Sequence, residues 1–239
     1  EIRSKGGEAI ADGASVTDFD AVQRMVATAI ERWGRVDILV NNAGILRDKT
    51  FLKMEIEDFR AVLDVHLMGA VNCTKAVWPH MIAQGYGRVL MTTSSSGLYG
   101  NFGQSNYGAA KMGLVGLMQV LSLEGAKYDI RVNALAPAAT TRMTEDLQRN
   151  TSTGAFDPKA VSAGVLALVC EDAPNRFILC AGAGSFEAAH VTLTQGIHVS
   201  DGAPEDVLAR LSEIADRHGE TVPGDGIEQS ALERRKLTE

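Results

Sequence analysis

Thr92-Thr93-Ser94-Ser95-Ser96-Gly97-Leu98-Tyr99-Gly100-Asn101-Phe102-Gly103-Gln104-Ser105-Asn106-Tyr107-Gly108-Ala109-Ala110-Lys111 carries the signal from which fold and chemistry both follow. An apolar run with strand character, Arg88-Val89-Leu90-Met91, precedes it, and residues from about Ser105 to Lys127 have helix character. A strand that feeds a hydroxyl-rich turn and then a helix places Ser94, Ser95 and Ser96 at a strand's carboxyl end, where α/β sheets hold ligands. Tyr107 and Lys111 are four apart and share one helix face. An ammonium beside a phenol favours the phenolate, so the pair predicts a tyrosine pKa below its ordinary value of about 10. Such a tyrosine suits general acid/base work. Read alone, the same spacing more often means a packed ring beside a solvated amine; the case for chemistry comes from the wider pattern.

That pattern has three more parts. Ser94 stands thirteen residues before Tyr107, Asn41-Asn42-Ala43-Gly44 follows the strand expected at Val36–Val40, and Asn133-Ala134-Leu135-Ala136-Pro137 closes one expected at Ile130–Leu135. Individually the Asn-Gly cluster is a turn and Pro137 marks a bend. Together they resemble the short-chain dehydrogenase/reductase family, over a span from near the first residue to about Val199. The resemblance implies an α/β, Rossmann-like, doubly wound parallel sheet with Ser94, Tyr107 and Lys111 as catalytic residues. It implies NAD as cofactor, with NADP left open because the strand that chooses between them is not found in the sequence. Asn41, Ala43 and Gly44 then lie beneath the adenosine half. Ser15 and Val16 stand in the adenine-side loop, where the family usually has an Asp. Val65, Tyr107 and Lys111 complete the ribose side, and Pro137 and Thr141 face the nicotinamide carboxamide. The helical stretches at Glu55–Ala83 and around Tyr107 form the family's usual dimer interface, so a homodimer or homotetramer is expected.

A narrower likeness rests on Val65-His66-Leu67-Met68-Gly69, on Ser96-Gly97-Leu98-Tyr99 through Tyr107, and on Arg142-Met143-Thr144. Gly182-Ala183-Gly184 and Val191-Thr192-Leu193-Thr194-Gln195-Gly196 extend it. These resemble the (3R)-hydroxyacyl-CoA dehydrogenase domain of multifunctional β-oxidation enzymes and its bacterial steroid-catabolic relatives. The implied reaction is oxidation of the 3-hydroxyl of a 3-hydroxyacyl-CoA, with a fatty or steroid-derived acyl part. A hydroxysteroid or other small alcohol is the alternative substrate, and an inactive truncated or binding relative is the alternative class. His66 stands where most of the family has an Asn tied to a water relay reaching the lysine. It is either a satisfied core group or a member of that relay.

Of the 239 residues 45% are hydrophobic and 22% charged, which suits one domain and a small appendage. The expected division is a dehydrogenase domain at 1–200 and a C-terminal helix with a polar tail at 201–239. The net charge of −7 without Lys or Arg runs argues against nucleic acid. No apolar run has transmembrane length and no signal peptide is visible, so a cytoplasmic protein without membrane insertion is expected. Cys73, Cys170 and Cys180 are scattered and read as reduced thiols, with no metal site.

Along the chain, Glu1–Gly7 reads as the last turn of a helix and Glu8–Ala11 as a short strand. Helices follow at Val16–Trp33, capped by Thr17 or Asp18, and at Glu55–Ala83. The Gly-x-x-x-Gly-x-Gly turn that would seat a pyrophosphate on a helix N-terminus is not in the sequence. The expectation is therefore an N-terminally incomplete sheet, with an open apolar edge at the otherwise buried strand Val36–Val40. Made alone, such a polypeptide is expected neither to bind dinucleotide well nor to stay monomeric. Glu145–Pro158 is polar and reads as a substrate lid. Thereafter come a helix at Pro158–Cys170, a strand at Arg176–Cys180 and a β extension at Phe186–Val199. An amphipathic helix at Pro204–His218 and a polar segment without structure from Gly219 complete the chain.

Overall fold

Five strands lie side by side in sequence order in the computed structural model, which describes residues 1–140, 156–200 and 202–237. They are β1 (Ile38–Asn41), β2 (Gly87–Thr92), β3 (Ile130–Ala138), β4 (Ile178–Gly182) and β5 (Ser185–Ala189). β1 to β4 are parallel, with Val40 opposite Leu90, Leu90 opposite Asn133 and Leu135 opposite Leu179. Helices α1 (Phe19–Trp33), α2 (Ile56–Leu63), α3 (Gly69–Gln84), α4 (Ser95–Tyr99), α5 (Ser105–Gly125) and α6 (Pro158–Val169) connect or cover them. This is the expected α/β, Rossmann-like arrangement. β2 is buried at all six positions, as a central parallel strand must be, with Val89, Leu90 and Met91 as its apolar middle. Leu90, Leu135 and Ala181 pack beneath Val161, Leu168 and Val169 of α6.

Most elements form where their local signals place them. Asp18 accepts a hydrogen bond from the Ala21 amide at 3.0 Å, so α1 starts at Phe19 rather than Val16, and Gly34 closes it in the left-handed region. Pro158 opens α6 at its first turn, where its missing N–H costs nothing. Arg3–Lys5 forms a single 3₁₀ turn stopped by Gly6.

Other expectations are corrected. Glu8–Ala11 forms no strand ladder with the described residues; the Arg3 guanidinium donates to the Ala9 carbonyl. The strand after α1 is parallel but not buried. Among the described residues it is hydrogen-bonded to β2 alone, and Ile38 and Val40, 47% and 43% exposed, give it the open apolar edge that was expected. The long helix at Glu55–Ala83 is two helices joined by a π-helical turn at Asp64–Met68. Side-chain periodicity cannot show such a turn, since it shifts the register by one residue without breaking the helix.

The chain divides into two units, Glu1–Ala188 and Ala189–Glu239. In the second, Leu193 pairs with Thr221 through backbone bonds of 2.8 and 2.9 Å. The β extension expected at Phe186–Val199 is thus shorter, with β5 ending at Ala189. The helix expected at Pro204–His218 is broken at Arg210 into α7 (Pro204–Ala209) and α8 (Leu211–Ile214). The tail also holds a helix, α9 (Ile227–Lys236), where none was expected. Asp225 Oδ1 accepts from the Ile227 and Glu228 amides, and Gln229 pairs with Glu233 one turn on. Capping and surface pairs hold this helix, so it leaves no apolar stripe to read. No helix among the described residues is long and apolar enough to cross a membrane.

Candidate active site

At the end of β2 the chain turns outward, and Ser94 becomes the N-cap of α4 by accepting from the Ser96 amide at 3.2 Å. This cap orients the Ser94 side chain, which stands close enough to the phenol of Tyr107, in the first turn of α5, to favour its ionised form. One turn further, Lys111 is buried at 3% exposure, with its Nζ 5.3 Å from the Tyr107 ring centroid. Nζ donates to the Thr92 carbonyl at 2.5 Å, and the Thr93 hydroxyl donates back to the Lys111 carbonyl at 2.7 Å. Two reciprocal bonds therefore clamp the strand end to the helix that bears both functional groups.

The electrostatics reverse one expectation. Burial pushes the Tyr107 phenol up from its usual value, the nearby Asp48 carboxylate adds to this, and the Ser94 side chain opposes it. Burial also lowers the Lys111 ammonium to about 8. Proximity to a cation was expected to favour the phenolate; desolvation of the phenolate wins. Tyr107 is thus neutral and able to donate a proton.

A second layer holds these groups. Gln104 is buried, accepts from Ser96 Oγ at 2.8 Å and Asn101 Nδ2 at 3.0 Å, and donates to Asp48 Oδ2 at 2.6 Å. Asn106, fully buried, donates to the Arg47 carbonyl and accepts from the Tyr107 amide at 2.7 Å. Sequence reasoning missed both as positioning residues. Two amide side chains within three residues before a helical tyrosine were the available signal.

The cofactor-side residues divide into three groups. Val16, Asn41, Ala43 and Val65 converge with Lys111 and His66 on a cavity of about 170 Å³. Asn41 donates to Thr74 Oγ1 and Met91 Sδ, fixing the loop to α3 and β2, and Gly44 packs so close to His66 that a Cβ there has no room. Pro137 lies at the end of β3 opposite Ala181, away from this cavity, and Ser15 is exposed with its hydroxyl spent on Thr17. Thr141, the Arg142-Met143-Thr144 run and most of the expected lid fall outside the described residues. The cavity's wall fits the edge of an adenosine, although 170 Å³ is below the usual range for a whole ligand site. A roomier groove of about 430 Å³ between α1 and α3, lined by Gln23, Ile30, Glu31 and His80, contains none of the catalytic groups. Among the described residues no cluster of His, Cys, Asp or Glu could hold a metal.

The geometry agrees with comparison to known proteins. The model of the short chain dehydrogenase family matches residues 1–152. A short-chain type dehydrogenase/reductase of Mycobacterium tuberculosis is 47% identical over 228 residues, covering 94% of this chain and 79% of that protein. The peroxisomal multifunctional enzyme type 2 of Drosophila melanogaster is 49% identical over 172 residues, 72% of this chain. The chain spans only 28% of that relative's length. The solved structure of the full-length Drosophila enzyme superimposes with a TM-score of 0.79 at 35% identity, over 98% of this chain and 43% of that one.

Proposed function

We propose, for a chain that belongs to the short-chain dehydrogenase family, the reversible oxidation of a secondary alcohol, the 3-hydroxyl of a 3-hydroxyacyl-CoA, linked to NAD. The observation that carries this reading is the placement of the Ser94 side chain beside Tyr107, with the buried Lys111 Nζ 5.3 Å from the centre of the tyrosine ring. Ser94 binds the substrate oxygen and steadies the charge that develops on it. Tyr107 exchanges the proton of that oxygen, donating in carbonyl reduction and accepting in alcohol oxidation. As a base it needs more positive charge nearby than Lys111 alone provides. An oxidised nicotinamide, held beside Lys111, would supply that charge and the hydride acceptor. Lys111 has N–H groups left beyond its bond to Thr92 and offers them on the cavity side, where Val16, Asn41, Ala43 and Val65 form the wall for the dinucleotide and Gly44 backs it through His66. Pro137 and Thr141 are assigned to the carboxamide end, and Ser15 to the adenine-side loop.

The acyl-CoA assignment is supported by the 49% identity to a peroxisomal multifunctional enzyme and by the run from Gly97 to Tyr107. NADH production by the intact protein against 3-hydroxyacyl-CoA esters, hydroxysteroids and small secondary alcohols tests it. Turnover confined to the thioesters supports the reading, and preference for a free hydroxysteroid overturns the substrate half. Substituting Tyr107→Phe should reduce turnover about 10³-fold while sparing cofactor affinity. Unchanged turnover removes Tyr107 from the chemistry altogether.

A further inference from the structure

His66 is where the π-helical turn places a side chain that the reaction scheme above does not use. Its imidazole is 4% exposed. Nε2 lies 3.1 Å from the Ile45 amide nitrogen and 2.8 Å from the Ile45 carbonyl oxygen. One ring nitrogen can accept from the first or donate to the second, not both. Nδ1 is buried with no partner, in a ring that lines the 170 Å³ cavity together with Lys111. One side of the ring presses on Gly44, where a methyl group would overlap Cε1. Toward α5 the ring meets Tyr107 edge to face, with centroids 5.1 Å apart and planes at 88°.

The imidazole therefore touches the cofactor-side loop on one flank and the proton-transfer residue on the other. We propose that His66 is a positioning residue, a wedge that fixes the loop Ala43–Ile45 and the Tyr107 ring relative to each other. The π turn is the device that aims it there, since the extra residue rotates position 66 into the gap between the loop and α5. The wedge holds only while the imidazole is neutral. Among the described residues the charged groups facing it are few: Lys111 on α5 and the titratable Tyr107, with backbone alone from the 41–45 loop and the exposed Asp64 on its own turn. A second proton puts N–H groups on both ring nitrogens, removes the acceptor for the Ile45 amide and faces the Lys111 ammonium with a like charge. Burial and Lys111 accordingly lower His66 to about 4.

The inference rests on Tyr107 being the proton-transfer group, and the test separates the two. In the intact enzyme, His66→Ala should lower kcat/KM about 100-fold, mainly through kcat, as misplacement of reacting groups does. His66→Asn, whose amide can donate to the Ile45 carbonyl and accept from its N–H at once, should recover most of that loss. It should also retain activity at acid pH, where the wild type loses it as His66 protonates. Gly44→Ala should cripple the His66 enzyme, and adding His66→Ala should restore at least about tenfold, the signature of direct contact. Wild-type kcat and pH profile in His66→Ala overturn the wedge, as do additive losses at Gly44 and His66 or a His66→Asn no better than His66→Ala. Should His66→Ala not fold, His66→Asn alone and combined with Gly44→Ala gives the same two readouts. A fully active Tyr107→Phe sinks the reaction assignment instead, while an inactive Tyr107→Phe beside a fully active His66→Ala sinks only the wedge.

Discussion

β1 and β2 lie side by side in the same sheet and both deliver residues to the candidate site, yet they are built to different standards. Every residue of β2 is buried, and its start is anchored by Arg88, whose guanidinium donates to the carbonyls of Gly87, Asp129, Cys170 and Glu171. Its end is clamped to α5 through Thr92, Thr93 and Lys111. β1 is four residues long, pairs on one side, and leaves Ile38 and Val40 nearly half exposed. The half of the candidate site proposed to transfer the proton thus rests on a buried, doubly anchored frame. The half proposed to hold the cofactor rests on a loop held by Asn41, by Asn42 accepting from Thr92, and by His66. Chemistry that needs sub-ångström placement sits on the closed frame, and the open side supplies a binding wall.

The sharpest way to break that contrast is to remove the ammonium buried in the closed frame. With its folded pKa at about 8 and an unperturbed value of 10.5, Lys111 keeps its proton in both states below pH 8. Above pH 8 the unfolded chain still binds that proton and the folded chain does not, so stability rises with pH. The window closes near pH 10, where the unfolded chain's tyrosines begin to ionise while the buried Tyr107 does not. The full gain attached to Lys111 is about 3 kcal/mol. Lys111→Met should abolish this slope in urea unfolding measured between pH 7.5 and ~10, and should lower turnover about 10²-fold. A slope that survives the substitution shows that the amine is hydrated and the frame less closed than described.

A smaller effect comes from crowding the same frame. Gly97 in α4 lies against α5, and a Cβ there would stand 2.7 Å from Lys111 Cβ and 2.9 Å from the backbone carbon of Lys111. Backbone cannot swing aside as a side chain can, so Gly97→Ala should cost about 2 kcal/mol and displace Lys111. Thermal unfolding and turnover should fall together. Lost activity at unchanged stability would separate positioning from packing here.

The same contrast explains what the sequence could disclose. Ser94, Tyr107 and Lys111 fall within eighteen residues, on one strand end and one helix face, so spacing predicts their proximity, while the wider pattern and the resemblance single them out for chemistry. Asn41, Ala43 and Val16 were legible only through the resemblance, because what brings them together is tertiary packing around α3. The sign of the Tyr107 shift could not be read, since it depends on how much water the fold removes and not on which residue lies four positions away. The π turn at Asp64–Met68 was equally hidden: hydrophobic periodicity tolerates one extra residue, and only the hydrogen bonds of His66 show what the insertion does. α9 escaped because a helix held by Asp225 and surface pairs has no buried face. Thr141 was assigned from a motif and the lid from composition; Thr141 and most of the lid fall outside the described residues.

The least consequential substitution is the one that tests the open side. Ile38 is an apolar β-branched side chain at an unpaired strand edge, 47% exposed in this chain. A lysine there is the common means of blunting such an edge, and its stem can lie along the strand while the ammonium reaches water. In the polypeptide of residues 1–239, Ile38→Lys should therefore change unfolding free energy by less than ~0.5 kcal/mol. It should also shift sedimentation toward the monomer, because the edge no longer offers an apolar, hydrogen-bonding template to a second copy. The outcome that breaks the comparison is a destabilisation of ~3 kcal/mol or more, the size expected when a charge is forced into a packed core. Such a result would mean that β1 is covered as β2 is. Both halves of the site would then share one closed frame, and the division of labour between them would have to be sought in the side chains alone.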